Sequence, residues 1–126
     1  MVSQSRAARI AKGIQEMLAE LLLFEVTDPR LRGVYVTDVR VDRELAQASI
    51  FVSALEGAER SPEILAGLQH ASGYLRTQLA QRSQLRVFPR LRFEWDTTPE
   101  AAERIESLIA SLHKEQQTKP EGKSSG

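Results

Sequence analysis

Cysteine is absent from all 126 residues. Disulfides, thiolate nucleophiles and thiolate metal sites are therefore excluded, and a reducing cytoplasm is the expected compartment. Histidine occurs twice, at His70 and His113, far apart and without a carboxylate at ligand spacing. No metal site is expected from that pattern. No apolar run approaches the roughly 20 residues that cross a bilayer. The opening MVSQSRAARI lacks the apolar segment of a signal peptide, so neither membrane nor export is expected. The glycine signatures of catalysis are missing too: no GxxxxGK[ST], no GxGxxG and no GxSxG. Carboxylates such as Glu103 and Glu106 fit the solvated face of a helix. Nothing pairs a nucleophile with a base. The chain is expected to be no enzyme and to need no cofactor or small-molecule substrate.

What is present is ordinary in amount and uneven in placement. Hydrophobic residues make up 41% and charged residues 27%, the composition of a globular domain, and the length suits one core rather than two. Lys plus Arg equals Asp plus Glu at 17 each. The neutral total hides separate basic and acidic segments. Between Glu63 and Glu94 there is no acid, while Arg76, Arg82, Arg86, Arg90 and Arg92 all fall in that gap. At the start, Arg6, Arg9 and Lys12 precede the first acid, Glu16. The acids gather at Glu94, Asp96, Glu100, Glu103 and Glu106. Arg6, Arg9, Lys12, Arg76, Arg82, Arg86 and Arg90 are thus the candidate contacts to a phosphate backbone. The plainer alternative is scattered solvated charge.

Hydrophobic spacing gives the elements. Ile10, Ile14, Met17, Leu18, Leu21 and Leu22 form one stripe of a helix over about Gln4 to Glu25, which Val26-Thr27-Asp28-Pro29 ends. VYVTDVRV, residues 34 to 41, and AQASIFVSA, residues 46 to 54, read as strands joined in a hairpin by Asp42-Arg43-Glu44. Phe51 falls on the polar face of the second strand and is expected to be buried under a helix or loop. Ser61-Pro62-Glu63 reads as a helix start with Ser61 as N-cap. Ile64, Leu68, Ala71, Leu75 and Leu79 continue the stripe. Leu91, Phe93 and Trp95 alternate in a last strand. Thr97-Thr98-Pro99-Glu100 opens a final helix with the stripe Ile105, Leu108, Ile109 and Leu112. From Gln116 the composition turns polar, so residues 1–115 are expected to fold and 116–126 to form a disordered tail. The order is α-β-β-α-kink-α-β-α, an α+β domain with a three-stranded sheet covered by helices.

The stretch LQHASGYLRTQLA, residues 68 to 80, holds the most informative conflict. Its stripe is helical, yet Ser72-Gly73 stands at its centre. A glycine there costs about 1 kcal/mol against alanine. Gly/Ser pairs are a recognised cause of kinks. A bend at Ala71-Ser72-Gly73 would free backbone N–H groups for a phosphate, with Ser72, Gly73 and Arg76 around it. A tight packing contact at Gly73 explains the same residue equally well.

Five stretches in this order resemble the ribosome-binding factor A family of bacteria. They are SRAARIAKGIQEMLAELLL, TDPRLRG, VYVTDVRVDRELAQASIFVS, GLQHASGYLRTQL and LRVFPRLRFEWD, and the resemblance spans about residues 4 to 114. Each is moderately specific; their succession is strongly so. Where the family commonly has Arg-Pro-x-Arg, this chain reads Arg6-Ala7-Ala8-Arg9. The resemblance implies a type II KH-like domain. It implies that Ala71-Ser72-Gly73 is the family's Ala-x-Gly kink, in place of the Gly-x-x-Gly loop that clamps a backbone in other KH domains. It also implies an RNA-binding assembly factor for the immature small (30S) ribosomal subunit, aiding late 16S rRNA maturation and linked to growth in the cold. The partners would be that subunit and its rRNA, bound by a monomer. A protein–protein module docking through its acidic C-terminal helix is the alternative reading.

Overall fold

The computed structural model describes residues 1–98 and 106–112. The chain divides into two compact units, Met1–Asp96 and Thr97–Gly126. Among the described residues the first holds all the strands.

Helix α1 runs Gln4–Phe24. Ser3 stands extended before it, and its hydroxyl accepts from the Arg6 amide at 3.1 Å, capping one of the orphan N–H groups. Ala7, Ala11, Ile14, Leu18 and Leu21 are its buried line. Their alternating spacing of four and three is that of one helical face. Ile10, Met17 and Leu22 flank it, half-buried.

Strand β1, Val34–Val41, pairs antiparallel with β2, Gln47–Ala54. The four valines of VYVTDVRV do not alternate strictly, because Val36 and Val39 are three apart. A bulge between Val36 and Asp38 absorbs the extra residue. Val34, Val36, Val39 and Val41 thereby share the face of Ala54, Val52, Ile50 and Ala48, their register partners. The bulged Thr37 hydroxyl donates to the Phe51 carbonyl at 3.2 Å and also to the Asp96 carboxylate. The turn between the strands is closed by Asp42, whose carboxylate accepts from the Ala46 and Gln47 amides at 2.8 and 3.1 Å. Strand β3, Arg90–Trp95, lies parallel to β2, giving the sheet order β1-β2-β3. Parallel neighbours require a crossover, and helix α2, Ser61–Arg82, supplies it.

The α+β architecture is as expected, with two corrections in α2. Helix α2 is not divided at Ala71-Ser72-Gly73: it is a single α-helix of 22 residues. Among the strands and longer helices of the first unit the order is α-β-β-α-β. Ile64, Leu68, Leu75 and Leu79 are all fully buried along it. Each such side chain gains about 1.5–3 kcal/mol from burial, which outweighs the roughly 1 kcal/mol cost of one interior glycine. Ser61 is not the N-cap either. A 3-10 turn at Ala58–Arg60 runs straight into α2, so Ser61 is already helical and Arg60 holds the cap position.

Helices α1 and α2 pack on one face of the sheet, α1 mainly over β1 and α2 over β3. Ala48, Ile50, Val52 and Ala54 of the central strand are fully buried between them. Leu91, Phe93 and Trp95 pack at the edge of this core, partly buried. Phe51, on the other face, is half-buried, and the Arg40 guanidinium lies 5.6 Å from its ring centre.

Of the second unit, residues 106–112 are helical, and Leu108, Ile109 and Leu112 are exposed. Ile105, the helix start and the segment 116–126 lie outside the described residues. Among the described residues no helix is long and apolar enough to cross a membrane.

Candidate nucleic-acid interface

A cleft of about 380 Å³ opens where the middle of α2 faces the beginning of β3. Its lining is Gln47, Ser72, Gly73, Arg76, Arg90, Leu91 and Arg92. Three of these are arginines and none is an acid. The acid-free segment supplies both walls, Ser72 to Arg76 on α2 and Arg90 to Arg92 on β3, and the Gln47–Arg90 register brings the start of β2 beside them.

Gly73 lies on the cleft wall, exposed, and a β-carbon built there would meet nothing within 4 Å. The packing explanation for this glycine is thus removed. The close approach in α2 is six residues earlier, at Gly67. A β-carbon there would stand 3.0 Å from Leu31 Cδ2 and 3.3 Å from Arg30 Cβ. The structure also removes the row of freed amides expected at Ser72 and Gly73, since a continuous helix keeps its interior N–H groups in i→i−4 bonds. Hydroxyls fold back onto the helix on either side: Ser72 donates to the Gln69 carbonyl at 2.8 Å and Thr77 to the Gly73 carbonyl at 2.9 Å. What Gly73 contributes is a smooth floor between arginines.

Arg76 has a different task from the one its charge suggests. Its Nη2 donates to the Phe88 carbonyl at 2.7 Å and its Nε to the Pro89 carbonyl at 3.2 Å. It ties the loop before β3 to the helix and so fixes where Arg90 begins. Arg90 is exposed, its amide donates to the Ala46 carbonyl at 2.9 Å, and among the described residues no ion pair engages its side chain. Arg92 is held only loosely, 4.0 Å from Glu94.

The other predicted contacts divide into two groups. Val2 is bonded to Arg43 in both directions, its amide to the Arg43 carbonyl at 2.8 Å and its carbonyl to Arg43 Nε at 3.1 Å. The β1–β2 turn therefore touches the entry to α1 on one side and the start of β3 on the other. Arg6, Arg9 and Lys12 follow within the first turns of α1, exposed and without ion pairs among the described residues. Arg82 is elsewhere. It pairs with Glu25 at 2.6 Å, beyond the last turn of α1 and about 28 Å along that helix from Arg6. Arg86 is exposed in the loop after α2 and does not line the cleft.

Sequence patterning misses Gln47, which has no charge or motif to mark it, and counts Arg92 only as one of five. It also misses Arg60. That side chain donates to the Arg30 and Arg32 carbonyls at 2.7 and 2.6 Å and pairs with Glu56 and Glu63 at 2.9 and 2.8 Å. The bond to Glu63 raises its pKa further. Arg30 in turn holds Asp28, whose carboxyl its side chain keeps below the usual value. The stretch TDPRLRG is a loop against Gly67 braced from outside by Arg60, and Arg30 and Arg60 are structural. Among the described residues no cluster of His, Asp or Glu could hold a metal ion.

The model of the family "Ribosome-binding factor A" matches residues 6–109. A ribosome-binding factor A from Azoarcus sp. is 40% identical over 105 residues, 83% of each chain. One from Marinomonas sp. is 42% identical over 119 residues, 91% of this chain and 92% of its own. The crystal structure of ribosome-binding factor A from Thermus thermophilus superposes with a TM-score of 0.65 at 30% identity, over 74% of this chain and 99% of its own. A homology model of the Thermus thermophilus factor, fitted into a cryo-electron-microscopy map of a 30S complex, gives 0.61 at 31% identity, over 73% and 98%. On a family match that covers both walls of the cleft, the chain belongs to the ribosome-binding factor A family.

Proposed function

We propose that this protein binds the immature small ribosomal subunit, contacts its 16S rRNA through the α2–β3 cleft, and assists late maturation of that RNA without catalysis. It acts in the cytoplasm as a monomer, and the need for it is greatest in the cold, where misfolded RNA is slow to rearrange. The observation that carries the reading is the cleft itself: Arg76, Arg90 and Arg92 around an open Gly73, with no carboxylate among the described residues that line it. Such a surface suits a phosphate backbone, because each phosphate met by an arginine releases condensed counterions. The named relatives and the factor fitted into a 30S complex support the choice of ribosomal RNA over other nucleic acids.

Sedimentation with purified immature and mature small subunits, across a salt series, tests it. Co-sedimentation that favours the immature particle and weakens steeply with salt is the expected result. Equal binding to both particles, or binding indifferent to salt, would refute it.

A second reading rests on the exposed Leu108, Ile109 and Leu112 of the second unit, which offer an apolar stripe to a protein. It predicts that Leu108→Ser with Leu112→Ser abolishes subunit binding while Arg90→Glu leaves it intact.

A further inference from the structure

The sheet has a second face, turned away from α1 and α2, and its residues are arranged by register. Arg40 on β1, Ser49 on β2 and Arg92 on β3 are partners in one cross-strand row. Asp38, Phe51 and Glu94 form the next row. Strands lie about 4.8 Å apart, so the two arginines of the first row stand roughly 10 Å apart with only a serine between them. Both side chains are open to solvent, 75% exposed for Arg40 and 63% for Arg92. Phe51 is the half-buried aromatic residue of the second row, and among the described residues it is no part of the helix-side core. The Arg40 guanidinium lies over its ring at 5.6 Å.

This face is continuous with the cleft. A groove of about 370 Å³, lined by Arg40, Val41, Asp42, Gln47 and Ser49, shares Gln47 with the α2–β3 cleft. Arg90 and Arg92, at the free edge of β3, belong to the cleft on one side and, by alternation, to this face on the other. The result is a run of arginines from α2, around the edge strand, to β1.

We infer that this face is a second RNA site, taking an unpaired segment whose backbone passes over the β3 edge from the cleft. One base takes the place of the Arg40 guanidinium on Phe51, and the displaced Arg40, with Arg92, meets the flanking phosphates. The chemistry is that of a single-strand platform: a π-face that accepts any base, beside cations that track the backbone. Asp38 and Glu94 do not prevent it. Their ion pairs with Arg40 and Arg92, at 3.1 and 4.0 Å, are solvent-exposed and exchange readily for phosphate. The two acids instead disfavour a duplex, which would press a denser phosphate array onto the same rows. The inference rests on the RNA reading of the cleft.

The test is fluorescence anisotropy of the full chain with labelled single-stranded RNA of four and of ten nucleotides, in low salt. Wild type is expected to bind the decamer more tightly than the tetramer. Phe51→Leu should weaken the decamer about tenfold and leave the tetramer unchanged, and Phe51→Tyr should restore the decamer. Thermal melts of both variants check that the fold is kept. Arg90→Gln should weaken both lengths. If wild type binds neither RNA, the cleft reading and this inference fall together. If Arg90→Gln weakens binding while Phe51→Leu and Arg40→Gln leave the decamer untouched, the cleft stands and the sheet-face site is overturned. That second outcome is also the one expected if this face serves a protein.

Discussion

Leu31 Cδ2 would stand 3.0 Å from a β-carbon at Gly67, closer than buried carbon atoms settle. Leu31 is buried in the core, and the adjoining Arg30 backbone is held by Arg60 at 2.7 Å, so neither neighbour gives way easily. Gly67→Ala adds helix propensity of about 1 kcal/mol but overpacks this contact, and overpacking costs about 1–3 kcal/mol. A net loss of about 1 kcal/mol is expected in urea unfolding. Gly73→Ala has no such contact to disturb and should gain about 0.5–1 kcal/mol. Opposite signs for two glycines six residues apart in one helix are the checkable outcome.

Arg76 should behave as a strut. Arg76→Ala loses two hydrogen bonds to carbonyls, those of Phe88 and Pro89, and should destabilise the domain by about 1–2 kcal/mol. Lysine has one terminal nitrogen and cannot span both carbonyls with the same geometry, so Arg76→Lys should recover only part of the loss. Hydrogen exchange is the sharper readout. Amides of residues 83 to 88 and of Arg90 should lose protection in Arg76→Ala while those of β1 and β2 keep theirs. Uniform loss across the sheet would contradict a local tie.

The Asp28–Arg30 bond sets an acid dependence. The Asp28 carboxylate accepts from the Arg30 amide at 2.9 Å and from its Nη2 at 2.7 Å, and its pKa is held below the ordinary 3.8. A carboxyl with a lowered folded pKa stabilises the fold fully above its ordinary value and loses that contribution as pH falls through the folded one. Asp28→Asn should therefore melt below wild type by a constant margin from pH 7 to about pH 5. The margin should close below pH 3.8. Melting curves of the two proteins across that range check it.

Much of this architecture is legible in the chain, because burial is periodic. Ile14, Leu18 and Leu21, the alternation from Ala48 to Ala54, and Ile64 to Leu79 all carry their period openly. The bulge at Thr37 is foreshadowed by the three-residue step between Val36 and Val39, yet register is needed to see what it aligns. Helix α2 is harder to read, because local propensity and tertiary burial disagree at Gly73 and burial wins. The role of Arg76 is hidden for another reason. Its charge is visible in sequence, but the two carbonyls that engage it come from residues 12 and 13 positions later. Phe51 shows the limit in the other direction. An aromatic residue on a polar strand face implies a cover, and among the described residues Phe51 is half-buried with the Arg40 guanidinium over its ring.

Because Arg76 holds the loop and Arg82 pairs with Glu25, charge reversal at those positions mixes folding with binding. Arg90 has no ion pair among the described residues and contributes to the sheet only through its backbone. Arg90→Glu should melt within a few degrees of wild type and bind small subunits much more weakly. Gly73→Ala should melt slightly higher and also bind more weakly, since the added methyl stands on the cleft floor.

Contact between the α2–β3 cleft and RNA phosphates, as proposed, must show in the salt dependence of binding. The most direct measurement is the affinity of wild type and Arg90→Glu for immature small subunits at five or more salt concentrations. Loss of one phosphate contact should lower the affinity and flatten the plot of log affinity against log salt by about 0.7 to 1 unit of slope. An Arg90→Glu protein that is folded, binds as tightly as wild type and keeps the same slope would contradict the account.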